Sequence, residues 1–248
     1  MDESKQYNNI AEMYQNVSES GVKKYVVTPS FFDLCGDLKN KEVVDLACGS
    51  GYFTRLIKKR GAKNVSGIDI SKEEIRIARK IEETQRLGIT YFTKDVASLT
   101  ISKYKKVDIA TAAFLLHYSN TKEKLSKMCK CIFNLLKKGG RFITINGNPE
   151  IPTQNNLKYE FTASMDSPSK EGMIRKMTYY SKGKEIFSWN TYFWNKKTYE
   201  EALENAGFKN LKWKKIIISK EGIRKYGKEF WKEFLEQPYI IGLECTKP

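Results

Sequence analysis

The sequence predicts an α/β protein whose core is a doubly wound, seven-stranded, mostly parallel sheet with helices on both faces. Short apolar runs alternate with segments of helical periodicity from residue 43 to residue 145. Two helical segments precede this alternation, and a glycine turn follows its first apolar run. After residue 145 the alternation stops. The runs 174–180 and 185–194, separated by Ser-Lys-Gly-Lys, predict an antiparallel hairpin inserted after the fifth strand.

Local signals set the ends of the elements. Ser71 is a suitable N-cap residue, and Glu74 three positions later completes a capping box. The stretch 137–140, Lys-Lys-Gly-Gly, is read as a helix stop. The predicted strands are 43–47, 65–70, 89–93, 107–112, 141–145, 211–219 and 240–245, the predicted helices are 5–20, 23–35, 51–61, 72–87, 121–136 and 196–206, and Phe230, Trp231 and Phe234 mark a short amphipathic segment.

Composition bounds the class of protein. The chain has no uninterrupted apolar stretch of about 18 residues, so no membrane span is expected. Its first residues are polar, which argues against a secretory signal and for a cytoplasmic protein. The 5 cysteines are irregularly spaced, so reduced thiols and no metal site are expected. The net charge of +15 permits nucleic-acid binding, but scattered lysine pairs favour a solvated surface.

The most informative stretch is 43–51, Val-Val-Asp-Leu-Ala-Cys-Gly-Ser-Gly. Asp45 lies at the tip of an apolar strand, and Gly49 and Gly51 permit a tight turn into a helix. Such a turn surrounds a ligand with backbone N–H groups at the helix N-terminus. A second strand ends at Asp69, about 20 residues further on, where an acid is suited to binding the two hydroxyls of a ribose. The stretch therefore predicts a nucleoside cofactor.

The acid followed by Gly-x-Gly resembles the first motif of class I S-adenosylmethionine-dependent methyltransferases. It differs from the dinucleotide fingerprint G-x-G-x-x-G, because residue 54 is threonine and Asp45 precedes the glycines. Asp45 would repel a pyrophosphate and attract the cationic methionine end of S-adenosylmethionine. The resemblance implies a Rossmann-like fold, S-adenosylmethionine as cofactor and S-adenosylhomocysteine as product.

The same resemblance implies roles for further residues near the strand ends. Asp95 would accept a hydrogen bond from the adenine amino group and Val96 would donate its backbone N–H to the ring. The alternative for Asp95 is that it only caps the following turn. Ile70 would lie against the purine. Ala47 in the glycine turn, together with Ala112 and Ala113, which leave room for the sulfonium, completes the core of the predicted cofactor site.

The exit from the fourth strand should lie beside the methyl acceptor. His117 is the only histidine, and its ordinary pKa suits the deprotonation of a hydroxyl or a ring nitrogen. His117 is therefore a candidate base. The alternative is that it is a structural histidine, since no acid that could act as its partner lies nearby in the sequence. Phe114 and Tyr118 flank it as candidate substrate contacts.

Aromatic residues are concentrated outside the alternating core. The segment Tyr-Asn-Asn-Ile-Ala-Glu-Met-Tyr, residues 7–14, looks like the Y-x-x-I-A-x-x-Y opening of many small-molecule methyltransferases, in which tyrosines close over the cofactor. Tyr14 and Tyr25 are the candidates for that role. The candidate substrate contacts, in addition to those at the strand exit, are Tyr7, Tyr159, Trp189 and Tyr192. The alternative is that the insertion's aromatic residues form only the hydrophobic side of the hairpin.

These observations predict transfer of a methyl group from S-adenosylmethionine to a nitrogen or oxygen of a small planar or aromatic molecule. Positioning and exclusion of water suffice for such an in-line displacement. The opening and the glycine turn are similar to toxoflavin-synthase-like azapteridine N-methyltransferases. The alternatives are an RNA or protein methyltransferase, disfavoured by the absence of an Asn/Asp-Pro-Pro-Tyr/Phe motif, and a non-catalytic protein that binds S-adenosylmethionine.

One domain, residues 1–248, is predicted to hold four regions, and its oligomeric state is left open. The regions are an N-terminal helical lid (5–36), a cofactor-binding core (37–145), a substrate-covering insertion (146–195) and a C-terminal completion of the sheet (196–248).

Overall fold

A computed structural model of the protein describes residues 21–100, 105–155 and 157–248. The predicted helix 5–20 therefore lies outside the described residues. The described residues form ten strands: β1 (Glu42–Leu46), β2 (Asn64–Asp69), β3 (Thr90–Thr93), β4 (Val107–Ala113), β5 (Leu136–Gly147), β6 (Phe161–Ser164), β7 (Ile174–Ser181), β8 (Lys184–Tyr192), β9 (Lys209–Lys214) and β10 (Ile240–Thr246).

Seven of these strands form the main sheet, in the order β3-β2-β1-β4-β5-β10-β9. The pairs from β3 to β5 are parallel, and β10 runs antiparallel to both of its neighbours. The predicted doubly wound, mostly parallel sheet is thus confirmed. Its strand order reverses direction next to β1, which is where ligands bind in sheets of this type.

In the part of the chain that the structure describes, seven α-helices connect and extend the strands. A π-helical turn, Lys23–Val27, leads into α1 (Thr28–Cys35). The Oγ of Ser71 accepts the N–H of Glu74 at 3.2 Å, so the predicted N-cap is present. The remaining helices are α2 (Tyr52–Lys59), α3 (Lys72–Gln85), α4 (Lys122–Leu135), α5 (Lys196–Ala206), α6 (Lys220–Tyr226) and α7 (Lys228–Glu236). Among the described residues no helix is both long and apolar enough to cross a lipid bilayer.

The hydrophobic core has two layers, one on each face of the main sheet. Val43 packs in one layer and its neighbour Val44 in the other, because successive strand residues point to opposite faces. The same alternation places Ile143 and Phe142 of β5 on opposite sides. Side chains at the carboxyl ends of these strands are held by cores on both faces.

The inserted segment forms a second, three-stranded antiparallel sheet in the order β6-β7-β8. The predicted hairpin is its β7–β8 pair, with Met177 opposite Trp189. The indole Nε1 of Trp194, just after β8, donates to the carbonyl of Ser119 at 2.8 Å. This contact joins the small sheet to the segment that follows β4.

The structure shifts two of the sequence-based boundaries. The helix stop predicted at 137–140 agrees with α4, which ends at Leu135, but the next strand begins at Leu136 rather than at residue 141, and its irregular pairing with β4 includes the two glycines. The strand predicted at 211–219 is β9, which ends at Lys214. The short amphipathic segment lies in α7, which buries Trp231 and Phe234, and α6 precedes it as a separate helix.

Candidate functional site

A cavity of about 240 Å³ lies at the carboxyl ends of the parallel strands and beneath the small sheet. Its walls combine acidic, basic and aromatic side chains. Of the residues predicted from sequence, the cavity is lined by Asp45, Ala47, Gly49, Asp69, Ile70, Asp95, Val96, Phe114, His117, Tyr118 and Trp189.

Asp45 is buried at the end of β1 and is held by two threonine hydroxyls. Thr54 Oγ1 donates to its Oδ2 at 2.7 Å and Thr111 Oγ1 to its Oδ1 at 2.8 Å. Burial, together with the charge of Asp69, raises the pKa of Asp45 to about 6 against the lowering effect of these hydrogen bonds. A cation bound beside it would favour the charged carboxylate.

The turn after β1 has a backbone shape that only a few residue types adopt readily. Ala47, Gly49 and Gly51 all have positive φ, at 51°, 52° and 83°. Gly51 does not line the cavity. It is the N-cap of α2, and its N–H bonds the carbonyl of Cys48 at 3.0 Å. The predicted cofactor contact of Gly51 is thus corrected to a role in shaping the turn.

Asp69 links the end of β2 to this turn. Its Oδ2 accepts the N–H of Gly49 at 2.8 Å, and its Oδ1 accepts the N–H of Ser71 at 2.8 Å. Burial raises its pKa, while these backbone hydrogen bonds lower it. Because a carboxylate has about four acceptor positions, both oxygens retain capacity for the hydroxyls of a ribose.

Asp95 and its neighbours form the end of the cavity next to β3. Asp95 Oδ1 accepts the N–H of Ala97 at 2.9 Å and caps a short 3₁₀ turn, Val96–Ser98. Asp95 therefore does cap the turn that follows it. The cap uses only its Oδ1, and Asp95 also lines the cavity. Ile70 and Val96 line the same end, so an apolar face and a carboxylate lie together where an adenine is expected.

Glu74 is a site residue that sequence reasoning assigned only to a helix cap. It is 2% exposed and lines the cavity beside Gly49. Burial, reinforced by the charge of Asp69, raises its pKa to about 8. Its Oε2 has no hydrogen-bond partner within the described part of the chain. Lys23, whose Nζ lies 4.6 Å from the centre of the Tyr52 ring, also lines the cavity, and burial lowers its pKa to about 8.

The buried Glu74 carboxyl should make the unfolding free energy of the protein decrease as the pH rises. Its pKa in the folded state, about 8, lies above the ordinary 4.5, so the folded state binds the proton more tightly. This contribution is full below pH 4.5 and is lost as pH rises through about 8. Between pH 6.5 and 8 the unfolding free energy of the unmodified protein should therefore fall. In Glu74→Gln we expect this fall to be smaller by up to about 2 kcal/mol, as measured by urea titration without ligand.

Glu83→Gln is the matched control, because Glu83 is exposed on the same helix. It should keep the pH dependence of the unmodified protein. If Glu74→Gln shows the same slope as that control, Glu74 is not the group that takes up the proton.

The end of the cavity that was predicted to receive the methyl acceptor lies beyond β4. Ala113, Phe114 and His117 line it, and the Phe114 N–H bonds the carbonyl of Ile145 at 2.8 Å, next to β5. His117 is buried, and burial, followed by the charge of Arg175, lowers its pKa to about 3. Its Nδ1 has no hydrogen-bond partner among the residues described. The imidazole is therefore neutral and faces the cavity with an unsatisfied nitrogen.

Ala112 and Tyr25 are corrected by the structure. Ala112 packs in the core layer on the opposite face of the main sheet, and Ala113 lines the cavity in its place. Tyr25 is buried against α6: its hydroxyl donates to Glu221 Oε1 at 3.4 Å and its ring meets Tyr226 edge-on. Tyr25 is thus a contact between segments rather than a cofactor contact.

Two predicted substrate contacts are also corrected. Tyr159 is a core residue: its hydroxyl donates to the carbonyl of Phe230 at 2.8 Å and accepts the N–H of Phe234 at 3.0 Å. Tyr192 points away from the cavity, because Thr191 takes the cavity-facing position of β8. Tyr7 and Tyr14 lie outside the described residues.

The fold and these acids define the class I S-adenosylmethionine-dependent methyltransferase architecture. Residues 43–140 match the family profile described as "Methyltransferase domain". The ubiquinone biosynthesis O-methyltransferase of Coxiella burnetii is 36% identical over 113 residues, which make up 45% of this chain and 46% of that protein. The chain thus spans about half the length of the curated relatives it matches.

Solved structures agree with the fold across most of the chain. The S-adenosylmethionine-dependent methyltransferase from Mesorhizobium loti has a TM-score of 0.64 at 19% identity and covers 93% of this chain and 100% of its own. The [4+2]-cyclase SpnF has a TM-score of 0.64 at 15% identity, covering 99% and 95%. Such identities show the fold alone.

The matched domain and the fold are those of class I S-adenosylmethionine-dependent methyltransferases, a family whose cofactor is S-adenosylmethionine and whose product form is S-adenosylhomocysteine. The cavity's donor set fits that group. Asp69 has acceptor capacity for ribose hydroxyls, Asp95 has one oxygen outside its capping bond, and the Oε2 of Glu74 lacks a partner among the described residues.

Proposed function

We propose that this protein transfers a methyl group from S-adenosylmethionine to an oxygen or nitrogen of a small planar aromatic molecule in the cytoplasm. The observation that carries the proposal is the continuity of one cavity, which extends from Asp69 and Asp95 at the cofactor end to His117 and Trp189 at the other. The relative from Coxiella burnetii is named an O-methyltransferase, which favours a hydroxyl oxygen as the first acceptor to test.

The chain's residues would act mainly by binding, orienting and excluding water. When bound, the cofactor supplies a methyl group on a positively charged sulfur, already activated for displacement. Ala113 leaves room beside the end of β4, while Phe114 and Trp189 present flat apolar surfaces to an acceptor ring. Alignment of the acceptor with the methyl carbon then lowers the barrier without a covalent intermediate.

His117 is the candidate for holding the acceptor's proton. Burial, followed by the charge of Arg175, lowers its pKa, so it is a poor base in the unliganded cavity. A negatively charged group bound near Arg175 would raise the basicity of His117 by removing part of that lowering effect. The proposed base is therefore coupled to the charge of its substrate.

The small-molecule proposal is favoured over RNA by the cover on the acceptor end. Met177, Trp189 and Thr191 of the small sheet lie over the cavity, so the site is a lined pocket and an extended strand would have to displace them. A protein that only binds the cofactor, or one that uses the fold for another reaction as the name of SpnF indicates, remains the contrasting case.

The test is release of S-adenosylhomocysteine from S-adenosylmethionine in the presence of single acceptor candidates. The panel should hold catechols, phenols, amino-substituted heteroaromatic compounds, total RNA and a mixed protein fraction. We expect turnover with a planar aromatic member and none with RNA or protein. Tight binding of S-adenosylhomocysteine without turnover across the whole panel would contradict methyl transfer, and turnover with RNA alone would replace the small-molecule proposal.

A further inference from the structure

Arg175 is a buried cation at the acceptor end of the cavity. It lies on β7 in the same alternating set as Met177 and opposite Thr191 of β8, and all three line the cavity. Only 5% of its surface is exposed. A signal was present in the sequence, since residues 175, 177 and 179 form the inward-facing row of this strand and the first of them is arginine.

No acid compensates this arginine within residues 21–100, 105–155 and 157–248. Its guanidinium forms no ion pair or hydrogen bond there, and its Nε is buried without a partner. Burial lowers its pKa, and the titratable groups that interact with its charge are Tyr199, Tyr118 and His117, none of which is a carboxylate. Burying an uncompensated cation costs free energy. The buried Arg175 therefore indicates that a bound anion, which is not one of these residues, compensates its charge.

The surrounding structure makes room for the guanidinium at this point. A Cβ at residue 147 would collide with the terminal nitrogens of Arg175, and residue 147 is a glycine. Two further polar groups of the cavity wall, His117 Nδ1 and the Tyr239 hydroxyl, are also buried without a hydrogen-bond partner in the described residues. Three unsatisfied groups around one space indicate a polar ligand there.

The strand order separates this space from the cofactor end. Asp69 and Asp95 follow β2 and β3, whereas Gly147 ends β5, on the other side of β1 and β4. A cofactor held by the two acids would occupy the β3-to-β1 side of the edge. Arg175 therefore faces the methyl acceptor's side of the cavity.

We propose that Arg175 binds a carboxylate of the methyl acceptor, so that the preferred substrates are planar aromatic acids. The inference rests on the proposed function and specifies its substrate class. The planar guanidinium offers two parallel N–H donors that match a carboxylate, and the interaction is strong in a site closed to water. Anchoring the acid group fixes the in-plane orientation of the ring, which presents one hydroxyl or amino group to the methyl donor.

The experiment compares a matched pair of probes with the protein saturated in S-adenosylhomocysteine. The probes are 3,4-dihydroxybenzoate and its methyl ester, which differ in charge but share the ring and both hydroxyls. By calorimetry we expect the acid to bind about 30-fold more tightly than the ester, as a charge-assisted bidentate contact allows. Arg175→Met should remove this preference, and Arg175→Lys should restore part of it.

Lys176→Met is the control for charge, because Lys176 is the next residue of β7 and is exposed. It should keep the preference for the acid. The unliganded Arg175→Met protein should melt at the same temperature or higher, since it loses an uncompensated buried charge. A lower melting temperature, with the acid preference intact, would make Arg175 a structural residue and overturn the proposal.

Three other results would also overturn it. These are equal affinity of the unmodified protein for acid and ester, failure of the acid to bind, and a fall in S-adenosylhomocysteine affinity in Arg175→Met, which would place Arg175 on the cofactor. Failure of the carboxylate inference can be distinguished from failure of the proposed methyl transfer. Turnover of neutral aromatic acceptors at rates equal to those of acids defeats only the carboxylate inference, whereas absence of S-adenosylhomocysteine binding defeats the proposed function.

Discussion

Replacing Asp69 by alanine is expected to lower the affinity for S-adenosylhomocysteine about 100-fold, as loss of charge-assisted hydrogen bonds to a ribose implies. The Asp69 carboxylate has two roles. It would bind the ribose, and it also accepts the N–H of Gly49 at 2.8 Å, so it holds the glycine turn in position. The stabilisation of the protein by the ligand, measured as a shift in melting temperature, should shrink with the affinity.

Glu83→Ala is the matched control for the loss of one negative charge, since Glu83 is exposed on α3. It should leave S-adenosylhomocysteine affinity unchanged. An Asp69→Ala protein that is folded and binds as tightly as this control would remove Asp69 from the site and the ribose from that end of the cavity.

Replacing Gly51 by alanine is expected to lower the unfolding free energy by about 3 kcal/mol, the sum of a positive-φ penalty and an overpacking cost. The φ of Gly51 is 83°. A Cβ there would also collide with the Tyr91 hydroxyl and approach Arg55 Nη1 to 2.9 Å. Because the turn and the N-terminus of α2 would have to move, S-adenosylhomocysteine binding should be lost at the same time. Urea unfolding and calorimetry measure the two effects.

Gly183→Ala separates the two causes. Gly183 lies in the β7–β8 turn with a φ of 75°, and a Cβ there meets nothing within 4 Å. It should therefore cost only about 1 kcal/mol, the backbone term alone. Equal losses in the two variants would show that the close approach to Tyr91 contributes nothing.

The part of the site that follows from strand ends was predictable from the sequence. Asp45, Asp69 and Asp95 each end an apolar run, and parallel strands bring their carboxyl ends to one edge. All three line the cavity. The prediction depends only on short-range patterns and on the direction of the strands, which is why it needed no knowledge of distant contacts.

Residues whose role depends on distant packing were not predictable in the same way. Tyr159 is aromatic and lies in the insertion, yet its partners are α7 residues more than 70 positions later in the chain. Tyr192 was assigned to the cavity although its neighbour Thr191 occupies it, and of the two alanines assigned to the cavity, Ala112 and Ala113, only Ala113 lines it. A one-residue error in a strand reverses the face of the side chain, and sequence alone does not fix the parity.

Two buried residues of the cavity, Glu74 and Arg175, were not predicted as site residues from the sequence. Glu74 had an adequate local explanation as part of a helix cap, and Arg175 stood in a hairpin strand among other basic residues. The assembled structure places the acid beside the turn after β1 and the arginine at the end of the cavity proposed for the acceptor. A cation without a compensating acid among the described residues suits an anionic acceptor.

A crystal structure of the protein grown with S-adenosylhomocysteine tests the central claim most directly. We expect the ribose hydroxyls within hydrogen-bond distance of Asp69, the adenine amino group beside Asp95, and the sulfur atom directed toward Ala113 and the space in front of Arg175. A nucleoside bound elsewhere, or one lying at the Arg175 end with Asp69 and Asp95 unengaged, would contradict the assignment of both ends of the cavity.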